Sequence, residues 1–121
     1  MKETERTILY IDDDYQSGLL VKFFFEKEGF KVELAMNTSE ARDILKNNPV
    51  DMVITDIGLP GENGIEFYKW LTGSEYKDIP IFLVSAHAMG FNEVLTEHRD
   101  IFFEKPLFFP NFIKEVRKVL K

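Results

Sequence analysis

Cysteine is absent from the 121 residues and histidine occurs only twice. No disulfide framework and no thiolate chemistry are available to the chain. Two histidines also argue against a histidine-rich zinc site. Long hydrophobic runs are missing as well. The apolar stretches last only a few residues, too short for a membrane-spanning helix. The charged start, Met1-Lys2-Glu3-Thr4-Glu5-Arg6, has no apolar centre and does not read as a secretory signal. Positive charge is in deficit, with 15 Lys and Arg against 21 Asp and Glu and a formal net charge of -6. Non-specific nucleic-acid binding needs cations that displace phosphate counterions. Neither a nucleic acid nor a membrane is therefore expected as a partner. A reducing, cytoplasmic location fits the lack of cysteine.

What is present is an ordinary globular mixture, 45% hydrophobic and 30% charged, in a chain long enough for one domain with a full core. Strand-like runs alternate with helix-like segments. Strands are predicted at Thr7-Ile8-Leu9-Tyr10-Ile11, Val32-Glu33-Leu34-Ala35, Met52-Val53-Ile54-Thr55, Ile81-Phe82-Leu83-Val84 and Ile101-Phe102-Phe103. The first helix is predicted over about Gln16 to Glu28, from the helical spacing of Leu19, Leu20, Phe23 and Phe24. A second opens at Thr38-Ser39-Glu40-Ala41, and a third carries Ile65, Phe67, Tyr68, Trp70 and Leu71. A brief helix is placed between Gly90 and Arg99. The last starts near Pro110, with Phe109, Phe112, Ile113, Val116, Val119 and Leu120 on its core face. The alternation reads as (βα)5, an α/β protein with a doubly wound five-stranded parallel sheet.

Four of the five strands run into a residue that can handle a phosphoryl group. Asp12-Asp13-Asp14 follows the first strand, Asp56 the third, Ser85 the fourth, and Lys105 comes shortly after the fifth. Ligands of such sheets bind beyond the carboxyl ends of the strands, where strand order reverses. Each residue also has a plain structural reading. Asp12-Asp13-Asp14 can cap a helix and Asp56 can serve a turn. Ser85 can be a strand-end hydroxyl, and Lys105 a solvated cation. Their common placement favours a site. Clustered carboxylates repel one another, and a hard cation such as magnesium, which prefers oxygen ligands, relieves the repulsion. A carboxylate can attack phosphorus to form an acyl phosphate, in a reaction governed mainly by positioning and charge neutralisation. Asp56 as nucleophile, Asp12 and Asp13 as metal holders, Lys105 as counter-charge and Ser85 as donor form a complete set.

The chain resembles the receiver domain of bacterial two-component response regulators. The resemblance rests on Ile8-Leu9-Tyr10-Ile11-Asp12-Asp13-Asp14, on Asp51 through Gly61, on Pro80 through His87, and on Lys105-Pro106, and it spans essentially all 121 residues. It implies a flavodoxin-like fold of strand order 2-1-3-4-5. It implies Asp56 as phosphoacceptor and Asp12 and Asp13 as the acidic pair holding Mg2+, with Asp13 the more direct ligand. The Gly58 backbone carbonyl would complete the metal shell. Ser85 and Phe102 match the switch positions, Lys105 the Lys-Pro lysine, and the Lys105-Pro106 bond is expected to be cis. Asp14 lies outside the pair and reads as a turn or cap residue.

The resemblance also implies the partners. A histidine kinase or phosphotransfer protein would supply the phosphoryl group to a switch that turns over no external metabolite. Three departures stand out. Gly58 replaces a larger side chain and opens the approach to Asp56. His87 borders the site. His98-Arg99 replaces the usual Gly-Ala pair near the output face, so the downstream target cannot be carried over. Phe108 falls off the core stripe of the last helix. It is either a partner or homodimer contact or a residue packed under its own loop. One rival reading is a small magnesium-dependent phosphohydrolase of the haloacid-dehalogenase type. Gly58 stands where that chemistry needs its second acid, two residues after Asp56. Another rival, a degenerate receiver acting only as an interaction module, conflicts with the complete set of site residues.

Overall fold

The computed structural model describes residues 5–86 and 99–120. Its order is β1 (Thr7–Ile11), α1 (Tyr15–Lys27), β2 (Lys31–Ala35), α2 (Thr38–Asn47), β3 (Met52–Asp56), α3 (Gly64–Thr72), β4 (Ile81–Ser85), a 3-10 turn (Arg99–Ile101), β5 (Phe102–Glu104) and α4 (Phe109–Val119). The strands form one sheet in the order β2-β1-β3-β4-β5, every pair parallel. The expected brief helix from Gly90 lies outside the described residues up to Arg99, where the 3-10 turn begins. The fifth strand sits one residue later than predicted, because Ile101 closes that turn.

Both faces of the sheet are covered, which explains why the central strands read as unbroken apolar runs. Alternation along β1 sends Ile8 and Tyr10 to the layer of α1 and α4, and Leu9 and Ile11 to the layer of α2 and α3. Phe25, Phe82, Phe103 and Phe112 form the aromatic centre of the first layer, with ring centroids 4.6 to 6.0 Å apart. Phe102, one residue before Phe103, packs on the opposite layer.

Helix α1 forms where its spacing predicts, yet the residues that revealed it are not its buried face. Gly18, Val21 and Phe25 face the core, whereas Leu19, Leu20 and Phe23 are exposed and Phe24 stacks on Phe109 at 4.5 Å. The helix is apolar around most of its circumference, so periodicity alone cannot choose its rotation. Gly18 fits the observed rotation: a Cβ there would come within 3.3 Å of the Leu34 side chain on β2, a close contact. In α4, Phe112, Ile113, Val116 and Leu120 are buried as expected, but Val119 points to solvent. Phe108, the residue before α4, is 66% exposed and packs in neither core layer.

Two measurements check this rotation of α1. Phe25→Ala should lose about 3–5 kcal/mol in urea unfolding, the usual cost of emptying a buried phenylalanine site. Leu19→Ala should stay within about 0.5 kcal/mol of the parent, as for a surface change. Equal losses would contradict the rotation.

Candidate phosphoryl-transfer site

The register of the sheet assembles the site. Ile11 pairs with Thr55, so the next residues, Asp12 and Asp56, stand side by side beyond adjacent strands. Asp56 pairs with Val84, and Ser85 with Glu104, which brings Ser85 and Lys105 to the same edge. The backbone continues the ladder there: Asp12 N–H donates to the Ala35 carbonyl at 3.0 Å, and Lys105 N–H to the Ser85 carbonyl at 2.9 Å. The Lys105-Pro106 peptide is cis.

One carboxylate oxygen each from Asp12, Asp13 and Asp56 lies within 4.8 Å of the others. Lys105 Nζ donates to Asp56 Oδ2 at 2.8 Å and to Asp12 Oδ2 at 2.9 Å. Burial pushes the Lys105 ammonium toward losing its proton, but the bonds to Asp56 and Asp12 outweigh burial and raise its pKa above the usual lysine value. It is therefore a fixed cation. Three carboxylates against one ammonium leave two negative charges unmatched, which suits a divalent cation. The donor set is oxygen only and contains the few carboxylates a magnesium-like ion takes. Among the described residues, Asp56 Oδ1 accepts from the Gly58 N–H at 2.9 Å, and Asp13 is exposed, so both have oxygens to offer a ligand.

Asp14 does something else. Its side chain caps α1, accepting from Gln16 N–H at 3.1 Å and from the Ser17 hydroxyl at 3.0 Å. The Ser17 hydrogen bond holds its carboxyl below the usual range. Ser85 is buried at the end of β4, and Phe102 is half-buried on the α2/α3 side. Gly58 is exposed, and a Cβ there would lie 3.8 Å from Asp56 Oδ1. Any side chain at that position would stand beside that carboxylate oxygen. His87 and His98 lie outside the described residues.

Sequence reasoning passed over three features. Gly64 is the first residue of α3. A Cβ there would overlap the Asp56 carbonyl oxygen and lie 2.8 Å from Ile57 Cα, so only glycine lets α3 start against the end of β3. Tyr10 is almost fully buried, and its hydroxyl donates to Asp12 Oδ2 at 2.9 Å. Burial first, and then the neighbouring Asp12 charge, raises its pKa, so it stays a protonated donor. A tyrosine among aliphatic residues, two positions before an aspartate on a strand, was the available signal. The third is a latch on the loop after Asp56. Arg42 on α2 donates to Glu62 at 2.8 Å while its guanidinium stacks on Trp70 on α3, 4.4 Å from the ring centroid.

Comparison with known proteins decides the family. The family model of the response regulator receiver domain matches residues 8–117. The chain belongs to that family. It is 27% identical over 118 residues to the polar-differentiation response regulator DivK of Brucella anthropi, spanning 95% of this chain and 96% of that protein. The receiver protein of Pseudomonas putida superposes with a TM-score of 0.87 at 22% identity, over 97% of this chain and 99% of that one. Chemotaxis regulator CheY4 of Vibrio cholerae superposes with a TM-score of 0.83 at 24% identity, over 97% of this chain and all of that one (100%). The receiver fold, a flavodoxin-like arrangement in strand order 2-1-3-4-5, is thus the one expected from the sequence. Among the described residues no helix is long and apolar enough to cross a membrane.

The latch has a pH signature. The Arg42 hydrogen bond, supported by that of Thr38 and opposed by burial, holds the Glu62 carboxyl below its ordinary value of 4.5. A depressed carboxyl pKa contributes stability above the unfolded value, and the contribution is lost as pH falls through the folded value. Trp70 is the single tryptophan of the chain and reports on Arg42 directly. Its fluorescence should change on acidification below pH 4.5. Glu62→Gln should remove that step, and an unaltered titration in the variant would contradict the latch.

Proposed function

We propose that this receiver is a phosphoacceptor switch in which Asp56 takes the phosphoryl group from a phosphohistidine of a kinase or phosphotransfer protein. A carboxylate oxygen of Asp56 bonds to phosphorus as the phosphorus–nitrogen bond to the imidazole breaks. The leaving imidazole takes up a proton, and the product is an acyl phosphate on Asp56. Magnesium held by Asp12, Asp13, Asp56 and the Gly58 carbonyl would neutralise charge on the phosphoryl oxygens. Lys105 already donates to Asp56 Oδ2, and it would neutralise the other side of the transferring group. Electrostatic stabilisation of this kind, pre-positioned where charge develops, is usually the largest catalytic contribution.

The observation that carries this reading is the shared ammonium of Lys105 at 2.8 Å from Asp56 and 2.9 Å from Asp12, beside a third carboxylate. Once Asp56 is phosphorylated, Lys105 and Ser85 gain new acceptors. Their shift, with that of Phe102, biases a bistable region on the β4–β5 side that a downstream protein reads. Residues 1–121 are read as one receiver domain, acting in the cytoplasm on no external metabolite. The phosphohydrolase reading is not favoured, because Gly58 stands where a second acid is required.

Incubation with acetyl phosphate and magnesium should add one phosphoryl group, detected by intact mass, and Asp56→Asn should abolish it. Asp13→Ala should raise the magnesium requirement far more than Asp14→Ala, since Asp14 is occupied as a helix cap. Equal labelling of the Asp56→Asn protein would overturn the assignment of the nucleophile, and the reverse order of the two alanine variants would move the metal site by one residue.

A further inference from the structure

Tyr10 has no role in the switch described above, yet it reaches the site from inside the core. β1 is buried along its length, and its other apolar side chains, Ile8, Leu9 and Ile11, are aliphatic. A phenol at such a position costs desolvation energy unless its hydroxyl is bonded. Phenylalanine would fill the same space without that cost. Tyr10 and Asp12 are two apart on one strand and so share a face. At 1% exposure the tyrosine cannot meet an incoming phosphoryl group and must act through Asp12.

We propose that Tyr10 is a positioning residue of the metal site: its hydroxyl and Lys105 together occupy Asp12 Oδ2, which turns Asp12 Oδ1 toward the divalent cation. The inference rests on reading the acidic cluster as a magnesium site. Oδ2 accepts from Tyr10 at 2.9 Å and from Lys105 at 2.9 Å. A carboxylate oxygen has about two lone pairs, so Oδ2 is full. Among the described residues, Oδ1 accepts one N–H, that of Asp14 at 2.9 Å, which leaves it a lone pair. The same hydroxyl has a second consequence. Asp12 is only 3% exposed. When the phosphoryl group draws Lys105 away, Oδ2 would face the interior without a donor, but Tyr10 remains bound to it. The hydroxyl thus releases Lys105 to follow the charge without stranding a buried carboxylate.

Tyr10→Phe tests this, because it removes one oxygen and preserves the packing. Titration with magnesium alone, followed by calorimetry, should show the dissociation constant raised about tenfold, the low end for losing a hydrogen-bond partner of a metal ligand. In an Asp12→Asn background the same change should have little further effect, since its target carboxylate is gone. The hydroxyl proton of Tyr10, resolved by NMR in the parent protein, should shift when magnesium is added. A purely structural tyrosine would lower Tm and leave the magnesium constant unchanged, which would overturn its role in positioning. So would an equal effect in the Asp12→Asn background. A parent protein that takes up no magnesium would overturn the metal reading itself and this inference with it, an outcome distinct from a loss confined to Tyr10.

Discussion

The ammonium of Lys105, shared between Asp12 and Asp56, is the contact on which the site depends. Asp12 is nearly sealed from solvent and Asp56 is mostly covered. Buried carboxylates of like charge need a cation close by, and removing one partner of such a pair typically costs about 3–5 kcal/mol. One ammonium cannot neutralise three carboxylates. The surplus negative charge suits a divalent cation, which prefers oxygen ligands. In the proposed reaction the same ammonium responds when Asp56 changes from a carboxylate to an acyl phosphate.

The fold exists, for this purpose, to bring Lys105 to the two aspartates from 93 and 49 residues away in the chain. Strand order 2-1-3-4-5 places β1 beside β3, which brings Asp12 and Asp56 side by side just past the Ile11–Thr55 pair, and then runs outward through β4 to β5. Chain reversal at the β1/β3 junction leaves the crevice in which both aspartates sit. The loop that leaves Asp56 is fixed at both ends. Gly64 lets α3 begin against the Asp56 backbone, and Arg42 holds Glu62 between α2 and α3. Gly58 itself places no side chain beside Asp56 Oδ1.

Much of this was legible in the sequence. Period-2 and continuous apolar runs located the strands, and the polar residues at their ends named Asp12, Asp13, Asp56, Ser85 and Lys105 before any coordinates. Rotation of α1 was not legible, because Leu19, Leu20 and Phe23 are as apolar as Val21 and Phe25. The close approach of Gly18 to Leu34 is visible only in the folded structure. Tyr10 was hidden for a different reason. It reads as one more β-forming residue in a buried strand, and what sets it apart is a single hydroxyl whose partner is visible only once side chains share a face. Arg42 and Glu62 are 20 residues apart on different elements, and no local pattern links them.

The most direct measurement follows the Lys105 ammonium itself by nitrogen NMR in the magnesium-loaded protein, before and after phosphorylation with acetyl phosphate. A shared ammonium that transfers from the Asp56 carboxylate to the phosphoryl oxygens should give a large shift of the Lys105 Nζ signal, accompanied by shifts at the Ser85 and Phe102 amides. A Lys105 signal that stays in place while Asp56 carries the phosphoryl group would contradict the central role of that contact.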